Sequence, residues 1–194
     1  MRLKAVSILA LAAALLAGGA HANDVLVYFG THGVEPAEVR PGQPVPEKGI
    51  YAARFDEETG RLTPLGLAVG LERPTWMAAN PAQNLVYAVN ELGNDGKSDG
   101  EVLALKPDGA GKLSVLSRID ARGGGTTNLT YDARSRTLFA ANYGGGQAVS
   151  FPVAADGAVG EAVSVMTDTG SGPSPRQKSP HAHGVTVDPS GRFL

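Results

Sequence analysis

The sequence predicts an all-β fold made of repeated four-stranded antiparallel units, on three observations. Two landmarks recur along the chain with a period of roughly 50 residues. The apolar segments are short, partly β-branched or aromatic, and bounded by turn signals. The 26 glycines and 13 prolines among 194 residues interrupt the chain too often for long helices.

The first landmark aligns "NPAQNLVYAVNE", "DARSRTLFAANY" and "DPSGRFL". Asn80, Asp132 and Asp188 fall together in this alignment, as do Val86, Leu138 and Leu194. An earlier copy, "DVLVYFGTH", puts Val27 in register with Val86, one repeat on. The second landmark is a pair of glycines at a fixed separation: Gly49/Gly60 in "GIYAARFDEETG", Gly100/Gly111 in "GEVLALKPDGAG" and Gly146/Gly157 in "GQAVSFPVAADG". Asp108-Gly109 and Asp156-Gly157 supply turn residues that tolerate positive φ where the chain reverses. Gly144-Gly145-Gly146 reads as a tight turn, because it lacks the strand–turn–helix context of a phosphate loop.

Four short strands per repeat of this length are the signature of a β-propeller blade. With strands lettered A to D from the central channel outward, blade 2 places A at 75–79, B at 85–90, C at 101–106 and D at 113–119. Blade 3 places A at 127–131, B at 137–142, C at 147–152 and D at 159–166. Blade 1 opens at its B strand, 25–29. The proline- and glycine-rich stretch 31–48 reads as an inserted loop, and a fourth blade opens near His183.

The segment from Met1 to Ala22 lies outside this pattern. Arg2 and Lys4 precede an apolar run from Ala5 to Ala17 and a small-x-small site, Ala20-His21-Ala22. This is the layout of a secretory signal peptide, and the run is too short to span a bilayer. The propeller domain is therefore 23–194, with a periplasmic or secreted destination and no lasting membrane association once the leader is removed. There are no cysteines, so disulfides and thiolate chemistry are excluded. A net charge of −2 gives no electrostatic reason to expect nucleic acid.

Strands in a blade alternate in direction, so the B-to-C and D-to-A connections share one rim. Glu91 ends strand B of blade 2. Asn142 and Tyr143 end strand B of blade 3. Arg176, Gln177 and His181 lie in the D-to-A connection before blade 4, and His183 opens its A strand. Polar residues converging at a channel mouth are expected to bind ligand. His181 and His183 are two apart, but no nearby carboxylate completes a metal-binding set, so no metal or other cofactor is expected. For each of these residues a purely structural hydrogen-bonding role is the alternative.

The phrases "GIYAARFDEETGRL", "NPAQNLVYAVNE", "GEVLALKPDGAGKL", "FAANYGGG" and "RQKSPHAHGVTVDPSGRFL" resemble the β-propeller lactonase family. That family includes the bacterial propeller-type 6-phosphogluconolactonases and is similar to the fungal muconate lactonizing enzymes. The resemblance implies a seven-bladed propeller, of which this chain covers about the first half, and metal-independent hydrolysis of a sugar lactone. It implies catalytic roles among His183, His181, Arg176 and Glu91, and substrate contacts from Gln177, Asn142, Tyr143 and Asn128. His or Glu suits the base that activates water, and Arg suits the developing oxyanion. Arg176 and Lys178 would also suit a phosphate.

The chain departs from the family at Thr126 and Asn128, where a Pro and a His are usual, and in its export leader. A non-catalytic periplasmic propeller binding a carbohydrate or a protein is therefore the alternative function. Three blades and part of a fourth leave edge strands open. Either the sequence continues into further repeats or copies associate to close a ring.

Overall fold

The computed structural model describes residues 24–32, 41–42, 45–95 and 97–194. The leader at 1–22 lies outside the described residues, as does much of the inserted loop. Among the described residues, eleven strands form three antiparallel sheets. Blade 1 has three strands, β1 (Asp24–Thr31), β2 (Gly49–Asp56) and β3 (Leu62–Gly70), with β1 where strand B is expected and β2 and β3 in the C and D places. Blade 2 comprises β4 (Pro74–Asn80), β5 (Leu85–Asn90), β6 (Glu101–Pro107) and β7 (Leu113–Asp120). Blade 3 comprises β8 (Thr126–Asp132), β9 (Thr137–Asn142), β10 (Gln147–Pro152) and β11 (Ser164–Thr167). A 3-10 turn, Pro81–Gln83, joins β4 to β5. Among the described residues no helix is long and apolar enough to cross a membrane.

The blades stack because their strands are apolar on both faces. Along β5, Tyr87 and Val89 face blade 3, where they meet Leu129, Leu138, Val149 and Phe151 in one buried cluster. The alternate residue Ala88 joins Leu103 and Leu105 of β6 against Ile50 and Ala52 of blade 1. A period of two carries side chains to opposite faces, so one strand serves two interfaces. Polar ties pin the blade 2–3 contact: the Tyr87 hydroxyl donates to the Gly157 carbonyl at 3.2 Å, and Gln83 Nε2 donates to the Ala155 carbonyl at 2.7 Å.

Two elements differ from expectation. The outer strand of blade 3 begins at Ser164, not at 159. Val159 is buried and bridged to Val153, its N–H donates to Ser117 Oγ at 2.8 Å, and Gly160 N–H donates to the Pro152 carbonyl. The chain is committed to closing a wide turn there and reaches the sheet edge only afterwards. Residues 183–188, expected as strand A of blade 4, form no ladder. Strand A pairs only with B inside a blade, and no described strand pairs with 183–188.

Candidate functional site

Two positions of the repeat build one cleft. The first is the residue immediately after strand B: His32 after β1, Glu91 after β5 and Tyr143 after β9. The backbone holds the last two in the same way. Glu91 N–H donates to the Arg73 carbonyl at 2.9 Å, and Tyr143 N–H donates to the Gly125 carbonyl at 2.7 Å. Arg73 and Gly125 are themselves repeat partners, and both have positive φ, 45° and 68°. The second position is the second residue of strand A: Thr75 in β4, Thr127 in β8 and, one repeat later, His183. Strand pairing slips at this point in both blades, between Pro74 and Trp76 and between Thr126 and Asn128. A bulge of this kind re-aims side chains at the end of a strand.

Thr75, Trp76, Glu91, Thr127, Tyr143, Arg176 and His183 line an open cleft of about 580 Å³. Tyr143 organises the histidines. The His181 ring stacks on it at 4.3 Å with an interplanar angle of 10°, and the His183 ring meets its edge at 5.6 Å and 89°. His181 Nδ1 is 2.8 Å from the Tyr143 carbonyl oxygen. A carbonyl only accepts, so Nδ1 carries the proton and Nε2 of the neutral ring keeps its lone pair. Glu91 Oε1 accepts from Asn94 Nδ2 at 2.6 Å, and its Oε2 lies 3.9 Å from His32 Nε2. Thr127 Oγ1 donates to the His183 carbonyl at 3.1 Å, which fixes the backbone that carries the imidazole.

Of the residues singled out in the sequence, Glu91, Tyr143, Arg176 and His183 come together. His181 and Gln177 line a neighbouring hollow formed by 169–172 and 179–181. Asn142 is fully buried and does not reach the cleft. Its Oδ1 accepts from Thr126 Oγ1 at 2.8 Å and its Nδ2 donates to the Ala121 carbonyl at 2.9 Å. Asn128 Oδ1 accepts from Val185 N–H at 2.9 Å and so ties strand A of blade 3 to the segment opening blade 4. The sequence reading missed His32, Thr75, Thr127 and Trp76. The repeat held the signal for three of them: His32 stands one repeat before Glu91, and Thr75, Thr127 and His183 share one register position.

Comparison with known proteins agrees with this architecture. The family model "Lactonase, 7-bladed beta-propeller" matches residues 42–194. The 6-phosphogluconolactonase of Bacillus subtilis (strain 168) is 31% identical over 148 residues, which cover 76% of this chain and 41% of that protein. Among solved structures, a Bacteroides fragilis protein provisionally assigned as a 6-phosphogluconolactonase superposes with a TM-score of 0.72 at 31% identity. That match covers 88% of this chain and 44% of the other. The periplasmic gluconolactonase PpgL of Pseudomonas aeruginosa superposes with a TM-score of 0.67 at 31% identity, covering 75% of this chain and 42% of its own. The chain thus spans less than half the length of each of these relatives. The three antiparallel blades, the repeat-built cleft and the family match over most of the sequence make one conclusion: the chain belongs to the seven-bladed β-propeller lactonase family.

Proposed function

We propose that the protein is a lactone hydrolase that opens a sugar lactone at the rim cleft, with His183 as the base. The observation that carries this reading is the convergence of Glu91, Arg176 and His183, from three separate segments, on one cleft. A neutral imidazole takes a proton from water, and the hydroxide oxygen attacks the lactone carbonyl carbon. The tetrahedral oxyanion forms beside the Arg176 guanidinium. Collapse breaks the ring C–O bond, and the leaving alkoxide takes the proton back from the imidazolium. Glu91 accepts hydrogen bonds from substrate hydroxyls and is the alternative base. His181 backs the Tyr143 ring. Export to the periplasm fits the leader-like segment 1–22 and the likeness to a periplasmic gluconolactonase.

A pH-stat assay with a panel of five- and six-membered sugar lactones tests the reading. His183→Ala is expected to lower kcat by at least about 100-fold, the lower end for loss of a general base. No rate above spontaneous opening on any lactone would overturn it. One observation favours the second reading, a non-catalytic carbohydrate- or protein-binding propeller. Asn128 stands where the family usually has a His, and its side chain is engaged with the Val185 backbone.

A further inference from the structure

We infer that Trp76 is the wall that selects the ring form of the substrate, by stacking on the flat C–H face of a cyclic polyol ester. The inference rests on the lactone-hydrolase reading and adds what the site recognises. Trp76 is 49% exposed on strand A of blade 2, and its side chain lines the cleft with Glu91, Arg176 and His183. Leaving so large an apolar surface in water is unfavourable.

The residue has no evident structural task that would require an indole. The equivalent position in blade 3 is Asn128, whose side-chain oxygen accepts from the backbone of the following A segment. An indole has one N–H donor and no acceptor, so Trp76 cannot make that tie. The strand slips just before this residue, as it does in blade 3, and here Thr75 and Trp76 both line the cleft. The remaining lining is Thr75, Thr127, Glu91, Arg176 and His183, all hydrogen-bonding or charged, and Tyr143, whose ring is already stacked on His181 and met by His183. An exposed indole face opposed by polar groups fits a ligand with one apolar face and a hydroxylated edge. A six-membered sugar lactone has that shape. Its hydrolysis product, an open-chain sugar acid, has no flat face and loses the stacking contact.

Trp76 is the sole tryptophan of the chain, so its own emission reports the event. The full chain is titrated with D-gluconolactam, a ring analogue that resists hydrolysis, and with open-chain gluconate. Saturable change in the indole emission is expected with the lactam. By calorimetry, Trp76→Ala is expected to weaken lactam binding about tenfold, the scale of one aromatic contact. It should leave gluconate binding unchanged, and Trp76→Phe should retain most of the affinity for the lactam. Matching far-ultraviolet circular dichroism shows that each variant is folded. Equal lactam affinity in Trp76→Ala and the parent, or no lactam binding by the parent, overturns the inference. The two readings fail separately. Trp76-dependent lactam binding without lactone hydrolysis sinks the enzyme and keeps the wall, whereas hydrolysis with unchanged KM in Trp76→Ala does the reverse.

Discussion

Asn142 and Tyr143 are neighbours in the chain with opposite surroundings. Asn142 is sealed under the 121–125 connection, with both ends of its amide hydrogen-bonded, while Tyr143 opens onto the cleft. Asn142→Ala leaves the Thr126 hydroxyl and the Ala121 carbonyl without partners. It should cost about 2–6 kcal/mol, at roughly 1–3 for each of the two buried groups, read from denaturant unfolding. The sequence made Asn142 look like a rim residue because a polar side chain ending a strand is normally exposed. The connection that covers it comes down from the preceding blade, well upstream in the chain, and no local pattern records that contact. Glu91, Arg176 and His183 were legible because they are polar residues placed where the repeat turns toward the rim. Asp188 gives a pH signature. The Ser190 hydroxyl first, then the Phe193 N–H, hold its carboxyl down at about 2 from an ordinary 3.8. A depressed carboxyl favours the closed turn above the ordinary value and loses that contribution as pH falls through the folded one. The Arg192 and Phe193 amide resonances should therefore shift as pH drops from about 4 through 2. In Asp188→Asn that transition should vanish.

At the scale of elements, the strands followed the sequence closely and the connections did not. Strands β4 to β10 fall within a residue or so of expectation, since alternation and turn residues are local signals. Strand β11 is shorter than expected because buried Val159, which looks like a strand residue, is consumed by a turn. The rim itself is assembled by backbones in close approach. Gly144 N–H donates to the Gly124 carbonyl at 2.9 Å and Gly125 N–H to the Leu92 carbonyl at 2.5 Å. Gly93 lies in this layer with φ of 75°, and a Cβ there would run into the Ser98 carbonyl. Gly93→Ala should combine the left-handed penalty of about 1 kcal/mol with displacement of the loop behind Glu91. The expected result is a lower melting temperature together with weaker ligand binding. A binding constant equal to the parent's would show that the loop does not position Glu91.

At the scale of the molecule, cooperativity follows from shared cores. Phe151 is fully buried in a cluster that draws on both blade 2 and blade 3. Phe151→Ala should cost about 3–5 kcal/mol, typical of a buried aromatic deletion. Hydrogen exchange should show lost protection in β5 as well as in β9 and β10, because the two sheets share that interface. Protection lost in blade 3 alone would show that the blades unfold independently. The repeat also separates scaffold from chemistry. His32, Glu91 and Tyr143 occupy one address in three successive blades, and at the last two the same backbone hydrogen bond holds whatever side chain is present. Functional groups at that address are interchangeable in backbone terms. Swapping them rotates the pattern of acid, base and aromatic around the channel axis without redrawing the fold, so a family built this way can explore new specificities by permutation of existing letters.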